Sequence, residues 1–134
     1  NLYNLNNSKE NIVFYKKVIV FEGEKSCLLY RSYFPDNDIS VAVCGSNLTK
    51  YQVDLLLSLE VDEICIAFDK QFKEIGDMEW KNWTKKLKDI YKKYGAKTKI
   101  TFIFDKWNLL EYKDSPIDKG KDIFQELFKR RISL

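Results

Sequence analysis

The sequence contains no histidine among its 134 residues, and this absence excludes several kinds of active site. Histidine-based triads, histidine-ligated zinc and acid–base catalysis by imidazole all require that residue. The three cysteines, Cys27, Cys44 and Cys65, lack C-x-x-C spacing and lie among apolar residues. We interpret them as small buried hydrophobic residues in a reducing, cytoplasmic compartment. Catalysis would then come from Asp, Glu, Lys or Tyr, or from a hard metal ion held by oxygen atoms.

Long apolar runs and flexible residues are also scarce. No run approaches the roughly 20 residues of a membrane span, so we expect no membrane partner. The chain has five glycines and two prolines, with 45% hydrophobic and 32% charged residues, a composition typical of one globular domain. Its single methionine is Met78 and its first residue is Asn1, so we expect a domain taken from a longer protein.

Short apolar runs alternate with amphipathic segments along the chain. The runs predict strands at 17–21, 40–44, 63–68 and 99–104, each buried on both faces. Helical spacing predicts helices at 25–34, 49–59, 80–94 and 122–130, and Thr49 and Gln52 fit a capping box. This alternation predicts an α/β fold with a mostly parallel four-stranded sheet flanked by helices on both faces. Residues 1–16 are polar and are interpreted as an arm from a preceding domain, and 17–134 as the domain itself.

Acidic residues follow three of the four predicted strands. Glu22 follows the first strand, Asp69 the third and Asp105 the fourth, while Gly45-Ser46-Asn47 follows the second. The carboxyl ends of parallel strands meet at one edge of a sheet, where sites form in open α/β folds. Any one of these acids could be an ordinary surface carboxylate. Converging carboxylates instead favour Mg²⁺ or Mn²⁺, which prefer oxygen ligands, and hence phosphoryl chemistry.

Several of these segments together carry a resemblance to a known family. Glu22-Gly23, the run from Gly45 to Gln52, and Phe68-Asp69 resemble the TOPRIM domain of bacterial and phage-type DNA primases. The segment 1–5 is similar to the stretch that leads into this domain in such primases. The segments 22–26 and 113–120 are similar to primase-like proteins of phages and mobile elements in Gram-positive bacteria. The resemblance covers nearly the whole chain and implies a TOPRIM-like Rossmannoid fold.

The resemblance implies a role in DNA replication as the catalytic subdomain of a primase, a nucleotidyltransferase that synthesises primers. Glu22 matches the family's invariant glutamate and Asp69 the first aspartate of its D-x-D motif, so both are expected to be catalytic and to bind magnesium. A further metal ligand maps to Asp118 or Asp122, and the residues leave that choice open. The implied partners are single-stranded DNA template, nucleoside triphosphates and, through other domains, a replicative helicase.

Two departures from the family pattern weaken the expected metal site. Gln71 replaces the second aspartate of D-x-D, and Ser26 stands where replicative primases usually have an acid. Because affinity for such ions rises with ligand charge, we expect Mg²⁺ or Mn²⁺ to bind weakly. The isolated domain is expected to be inactive in primer synthesis.

Basic residues supply candidate phosphate-binding groups. Lys25 and Lys70 neighbour the two best acids, and Gly45 and Ser46 precede a well-capped helix, where a phosphate site and a simple tight turn are both possible. Residues 70–99 hold ten lysines against four acids. The predicted helix there presents a stripe that is either a surface for nucleic-acid phosphates or a solvated face, formed by Lys81, Lys85, Lys88 and Lys92.

Three other functions compete with the primase hypothesis. A TOPRIM nuclease uses the same fold for phosphodiester cleavage, although the segment 113–120 favours the primase. A degenerate TOPRIM module would bind nucleic acid or a replication partner without catalysis. A receiver-like signalling domain would use Asp69 as phospho-acceptor, but that fold needs a fifth strand that the sequence does not predict.

Overall fold

The computed structural model describes residues 1–45 and 47–134. Strands and helices alternate through most of the chain, as the sequence predicted. In chain order the elements are α1 Leu5–Tyr15, β1 Lys17–Phe21, α2 Glu24–Tyr33, β2 Ser40–Ala42, α3 Lys50–Leu57, β3 Glu63–Ala67, α4 Met78–Tyr94, β4 Lys99–Phe102, α5 Lys121–Lys129 and β5 Ile132–Ser133. Within the described residues, no helix is long and apolar enough to cross a membrane.

The sheet has five strands in the order β2-β1-β3-β4-β5. The first four are parallel, and their nearly complete burial explains the continuous apolar runs. The fifth pairs antiparallel with β4, through Thr101↔Ser133 and Phe102↔Ile132. The predicted four-stranded sheet therefore lacked one edge strand, because two residues after a helix carry too short a pattern to be read. An antiparallel pair at this edge is not the parallel fifth strand of a receiver domain.

Helices cover both faces of the sheet, as predicted. The ring of Phe21 packs against Tyr30 of α2 and Phe124 of α5. Phe102 lies in the row of Val20, one residue from Phe21 and therefore on the opposite face, where it lines a groove with α4. The aromatic stripe of α4 is core, since Trp83, Leu87, Ile90 and Tyr94 are buried.

The N-terminal residues contain a helix that the sequence analysis did not predict. In α1, Ile12 is fully buried, and Tyr3 forms an antiparallel bridge with Ala42 at the edge of β2. The buried Asn4 amide donates to Asp38 Oδ2 and to the Ser40 carbonyl, both at 2.9 Å. These residues pack on the sheet, while the division into an arm and a domain stays a prediction.

Candidate active site

Glu22 and Asp69 lie side by side at the carboxyl ends of two neighbouring strands. The register pairs Phe21 with Ala67, so the residues just beyond them emerge together. Glu22 Oε2 accepts a hydrogen bond of 2.7 Å from the backbone N–H of Asp69. On the other side, the indole Nε1 of Trp83 in α4 donates to the Asp69 carbonyl at 3.1 Å. Both contacts fix the backbone at Asp69 and leave its carboxyl group at the end of the strand.

The electrostatic surroundings of Asp69 are unfavourable for its charged form. Partial burial, followed by the negative charges of Glu22, Asp118 and Asp114 and a proton-sharing contact with Glu22, raises the pKa of Asp69 to about 7. Desolvation and like charge both disfavour a carboxylate. A proton or a cation placed here would relieve this repulsion, and strongly perturbed acids of this kind are typical of functional sites.

The loop before α5 brings Asp118 and Asp114 towards Asp69. Asp118 Oδ2 accepts a 2.8 Å hydrogen bond from the Ser115 N–H, and Ser115 Oγ bonds to Ser26 Oγ of α2 at 2.8 Å. The carboxylates that raise the pKa of Asp69 include Asp118 but not Asp122, which lies in the first turn of α5; both aspartates are exposed. Ser26, which replaces an expected acid, thus holds the loop that carries Asp118.

An open cleft of about 390 Å³ lies between this strand end and α4. Glu22 and Gln71 line its sheet side, and Glu79, Asn82 and Lys86 of α4 line the other, with Phe68 and Trp83 as apolar walls. Sequence reasoning missed Asp114, Glu79, Asn82 and Lys86 as site residues. A spacing of three and four residues from Glu79 to Asn82 and Lys86 is a helical signal that could have found these three together.

The set of oxygen ligands suits a divalent cation that keeps most of its water. Among residues 1–45 and 47–134, no group of three His, Cys, Asp or Glu side chains has the arrangement of a metal cage. Glu22 and Asp69 still bring two carboxyl groups into one place, with two further acids nearby. Mg²⁺ is commonly bound through one or two carboxylates plus water and substrate phosphates. The residues therefore fit a weakly held ion.

Lys70 does not contact this cleft, in contrast to the predicted phosphate contact. Its side chain is 3% exposed, and its ammonium donates to Asp105 Oδ2, Asn108 Oδ1 and the Leu110 carbonyl at 2.9, 2.9 and 3.0 Å. An ammonium has three donors, so all of them are used inside the protein. Asp105, the acid after β4, is consequently an internal ion-pair partner rather than a member of the carboxylate group at Asp69.

The remaining predicted phosphate ligands lie on the surface. Lys25 and Gly45 are exposed, and Ser46 lies outside the described residues. The loop prediction is weakened because the capping box at α3 uses helix-terminal donors: Thr49 Oγ1 accepts from Gln52 N at 3.1 Å, and Gln52 Oε1 accepts from Thr49 N at 3.0 Å. The α4 lysine stripe is exposed throughout: Lys81, Lys85, Lys88 and Lys92.

Comparison with known proteins shows which solved structures share this fold. No model of a known protein family matches the sequence. A solved structure of the Aquifex aeolicus primase, with zinc-binding and RNA polymerase domains, matches the whole chain over 30% of its own length, with TM-score 0.66 and 23% identity. A DnaG primase catalytic domain bound to single-stranded DNA is also similar, with TM-score 0.70 and 18% identity. The match covers 98% of this chain and 40% of the DnaG chain. The chain has the fold of part of a primase. The TOPRIM-like fold inferred from the motifs is thus confirmed.

A relative in Bacillus subtilis is more similar in sequence. The SPbeta prophage-derived uncharacterized protein YorJ is 36% identical over 141 aligned positions, which include the whole of this chain. The chain spans 37% of that protein and less than half of the primases it matches. The prophage origin of this relative agrees with the predicted similarity to phage proteins.

Proposed function

We propose that this chain is the metal- and nucleotide-binding subdomain of a phage-type DNA primase, a nucleotidyltransferase that synthesises primers on a single-stranded DNA template. The observation that carries the proposal is the pair of carboxyl groups at the ends of β1 and β3, with the pKa of Asp69 raised to about 7. The primase fold supports it, as does the single-stranded DNA bound to one matching primase.

Glu22 and Asp69 would hold Mg²⁺ or Mn²⁺, with Asp118 nearby as a further ligand. When bound, such an ion supplies positive charge to phosphate oxygens. The chain's own contribution is to hold the carboxylates together before the ion arrives, through the Glu22 contact to the Asp69 N–H and the Trp83 contact to the Asp69 carbonyl. The cleft beside them would receive the triphosphate of a nucleotide, while other domains of the parent protein would contact the template and a helicase.

Paramagnetic broadening by Mn²⁺ tests this assignment directly. In the wild-type chain, Mn²⁺ should broaden the amide signals of Glu22 and Asp69 at lower concentration than signals elsewhere. Glu22→Gln should weaken that broadening strongly because it removes a charged ligand. Asp62→Asn is a matched control, since Asp62 is an exposed carboxylate at the opposite end of β3. Broadening centred elsewhere, or unchanged by Glu22→Gln, would contradict the proposal.

The same experiment separates Asp118 from Asp122. Asp118→Asn should reduce Mn²⁺ affinity and still accept the Ser115 N–H hydrogen bond, because an amide oxygen replaces the carboxylate oxygen. Asp122→Asn should have a smaller effect, because Asp122 is not among the carboxylates whose charge acts on Asp69. The reverse order would reassign the third ligand to Asp122.

A binding module without catalysis is the second candidate function. The observation in its favour is that two positions where primases usually carry acids are neutral here: Ser26 is hydrogen-bonded to Ser115, and Gln71 lines the cleft. For such a module, Glu22→Gln would leave binding of single-stranded DNA unchanged with and without Mn²⁺. For the primase subdomain, Mn²⁺ should increase the affinity for a nucleoside triphosphate in a manner that Glu22→Gln abolishes.

A further inference from the structure

The ammonium of Lys70 joins the end of β3 to a long irregular segment. Residues 103–120, all of them described, contain turns but neither helix nor strand. The three acceptors of the ammonium belong to this segment: Asp105, Asn108 and the Leu110 carbonyl. Irregular segments of this length in compact domains are commonly functional and need anchoring. Lys70, which directly follows Asp69 in the chain, supplies such an anchor.

Backbone hydrogen bonds extend the same junction. The N–H of Lys70 donates to the Asp114 carbonyl at 2.8 Å, and the N–H of Lys113 donates to the Lys70 carbonyl at 2.7 Å. Residues 113–114 therefore lie alongside Lys70 and hence beside the strand end that carries Asp69. The side chain and the main chain of Lys70 therefore both bind the same segment.

Asp105 gives the anchored segment its shape. Its Oδ1 accepts from the Leu109 N–H at 2.9 Å and its Oδ2 from the Leu110 N–H at 2.8 Å. The Asp105 and Lys70 side chains are 2% and 3% exposed, so the ion pair is shielded from solvent. Breaking such a pair by removing one partner is costly, because the other charge stays buried. The turn at 105–110 thus has one strongly preferred arrangement.

The anchored segment leads directly to the acids that surround Asp69. The Asp114 carbonyl itself accepts from the Lys70 N–H, and four residues further the Asp118 carboxylate accepts from the Ser115 N–H. Both carboxylates lie near enough to Asp69 to act on its charge. An anchor at residue 70 therefore sets the position of charges at residues 114 and 118.

We infer that Lys70 is a positioning residue for the candidate metal site. Its buried ammonium anchors residues 105–114, and this holds Asp118 beside Asp69. The inference rests on the proposed function only for the statement that these carboxylates bind a cation. The anchoring itself is a property of the metal-free protein. Lys70 does not line the cleft beside Glu22, and it acts through the loop.

The double variant Lys70→Met/Asp105→Asn tests this role with both buried charges removed. Because methionine and asparagine are both uncharged, no unpaired ion is left in the interior. The asparagine oxygen can still accept a hydrogen bond from a loop N–H. We expect amide hydrogen exchange at Ser115 and Asp118, measured without metal, to become at least tenfold faster. Exchange at Ile19 and Cys65 in the sheet should change far less. Mn²⁺ should still broaden Asp69 in this variant, but no longer Asp118.

Lys119→Met is the matched control. Lys119 also pairs with acids of this segment, Glu111 and Asp114, but at the surface. The control therefore removes a nearby positive charge without removing the buried anchor, and exchange at Asp118 should stay close to wild type. Equal acceleration in the control, or exchange and Mn²⁺ broadening at Asp118 unchanged in a folded double variant, would overturn the inference.

A milder variant covers the case in which the double variant does not fold. Asn108→Gly removes one acceptor of the ammonium, and glycine tolerates the positive φ of 57° at this exposed position. Exchange at Lys113 and Ser115 should become several-fold faster, and no change would contradict the anchor. If Mn²⁺ broadens nothing near Asp69 in the wild-type chain, the proposed function fails, and the metal-free exchange rates still decide the role of Lys70.

Discussion

Asp69 and Lys70 are neighbours in the chain but lie in opposite electrostatic surroundings. Partial burial and the like charges around it raise the pKa of Asp69 to about 7. Lys70 is buried among three acceptors, one of them a carboxylate, at hydrogen-bond distances of 2.9–3.0 Å. The first arrangement favours binding of a cation or proton, and the second fixes the loop that leads to the neighbouring acids. A site that crowds carboxylates needs a rigid support beside it.

The largest effect is expected from removing the ammonium alone. Lys70→Met leaves the Asp105 carboxylate buried without its counter-ion, so the free energy of unfolding should fall by about 3–5 kcal/mol. Urea unfolding at pH 7 measures this change. Lys85→Met is the control, because Lys85 pairs with Asp89 on the exposed face of α4 and its loss should cost within about 0.5 kcal/mol. Similar losses in the two variants would show that the Lys70 pair contributes no more than a surface pair.

The pH dependence of stability should report the surroundings of Asp69, where several carboxylates lie close together. The pKa of Asp69 rises from 3.8 to about 7 on folding. Between these values the unfolded chain releases the proton while the folded chain retains it. The contribution of Asp69 to the free energy of unfolding therefore falls as pH rises from about 4 to 7, and the loss is complete above the folded-state pKa.

The variant Asp69→Asn isolates this contribution. Thermal unfolding of both proteins from pH 4 to pH 8 should show the variant gaining stability relative to wild type across that window. Added Mg²⁺ should restore wild-type stability above pH 7 and have little effect on Asp69→Asn, because ligand binding to the folded state stabilises it. A stability difference that does not vary with pH would place Asp69 in ordinary surroundings.

Restoring a charge at Gln71 should sharpen the cation preference of the site. Gln71 lines the cleft together with Glu22, so Gln71→Asp places a third carboxylate there. Calorimetry should show Mn²⁺ binding about tenfold tighter, or about 1.4 kcal/mol. Gln125→Asp, the same substitution on an exposed position of α5, should leave affinity unchanged. Equal or weaker binding in Gln71→Asp would show that this side chain points away from the ion.

The fold was predictable because its strands and helices carry strong local patterns. The strand at 17–21 matches β1 residue for residue, and the Thr49–Gln52 capping box is present as predicted. The α1 helix was missed because its apolar residues do not form a repeating helical pattern: Ile12, Val13 and Phe14 are consecutive, and of these only Ile12 is buried. The β5 strand was missed because its pairing depends on distant residues, including the bond from Arg131 to Glu63.

The candidate site was predictable only where the fold alone decides it. Glu22 and Asp69 meet because adjacent parallel strands end together. The direction of the Lys70 side chain depends on a loop whose path has no periodic pattern, so neighbourhood in sequence wrongly favoured a phosphate contact. The same reason hid the role of Asp114 and left Asp118 and Asp122 undecided.

The smallest effect on stability is expected at lysines that are exposed, in contrast to the buried Lys70. Lys81 and Lys88 are exposed on α4, so Lys81→Gln/Lys88→Gln should change the free energy of unfolding by less than about 0.5 kcal/mol. If α4 tracks the phosphates of single-stranded DNA, each contact contributes about −0.7 to the log–log salt slope, and the double variant should flatten it by about 1.4. Fluorescence anisotropy at several salt concentrations measures the slope. The affinity loss should be similar on every sequence, because phosphate contacts position a protein without reading bases. Lys9→Gln/Lys129→Gln, two exposed lysines outside α4, should leave the slope unchanged, and an equal slope in all three proteins would make the α4 stripe an ordinary solvated face.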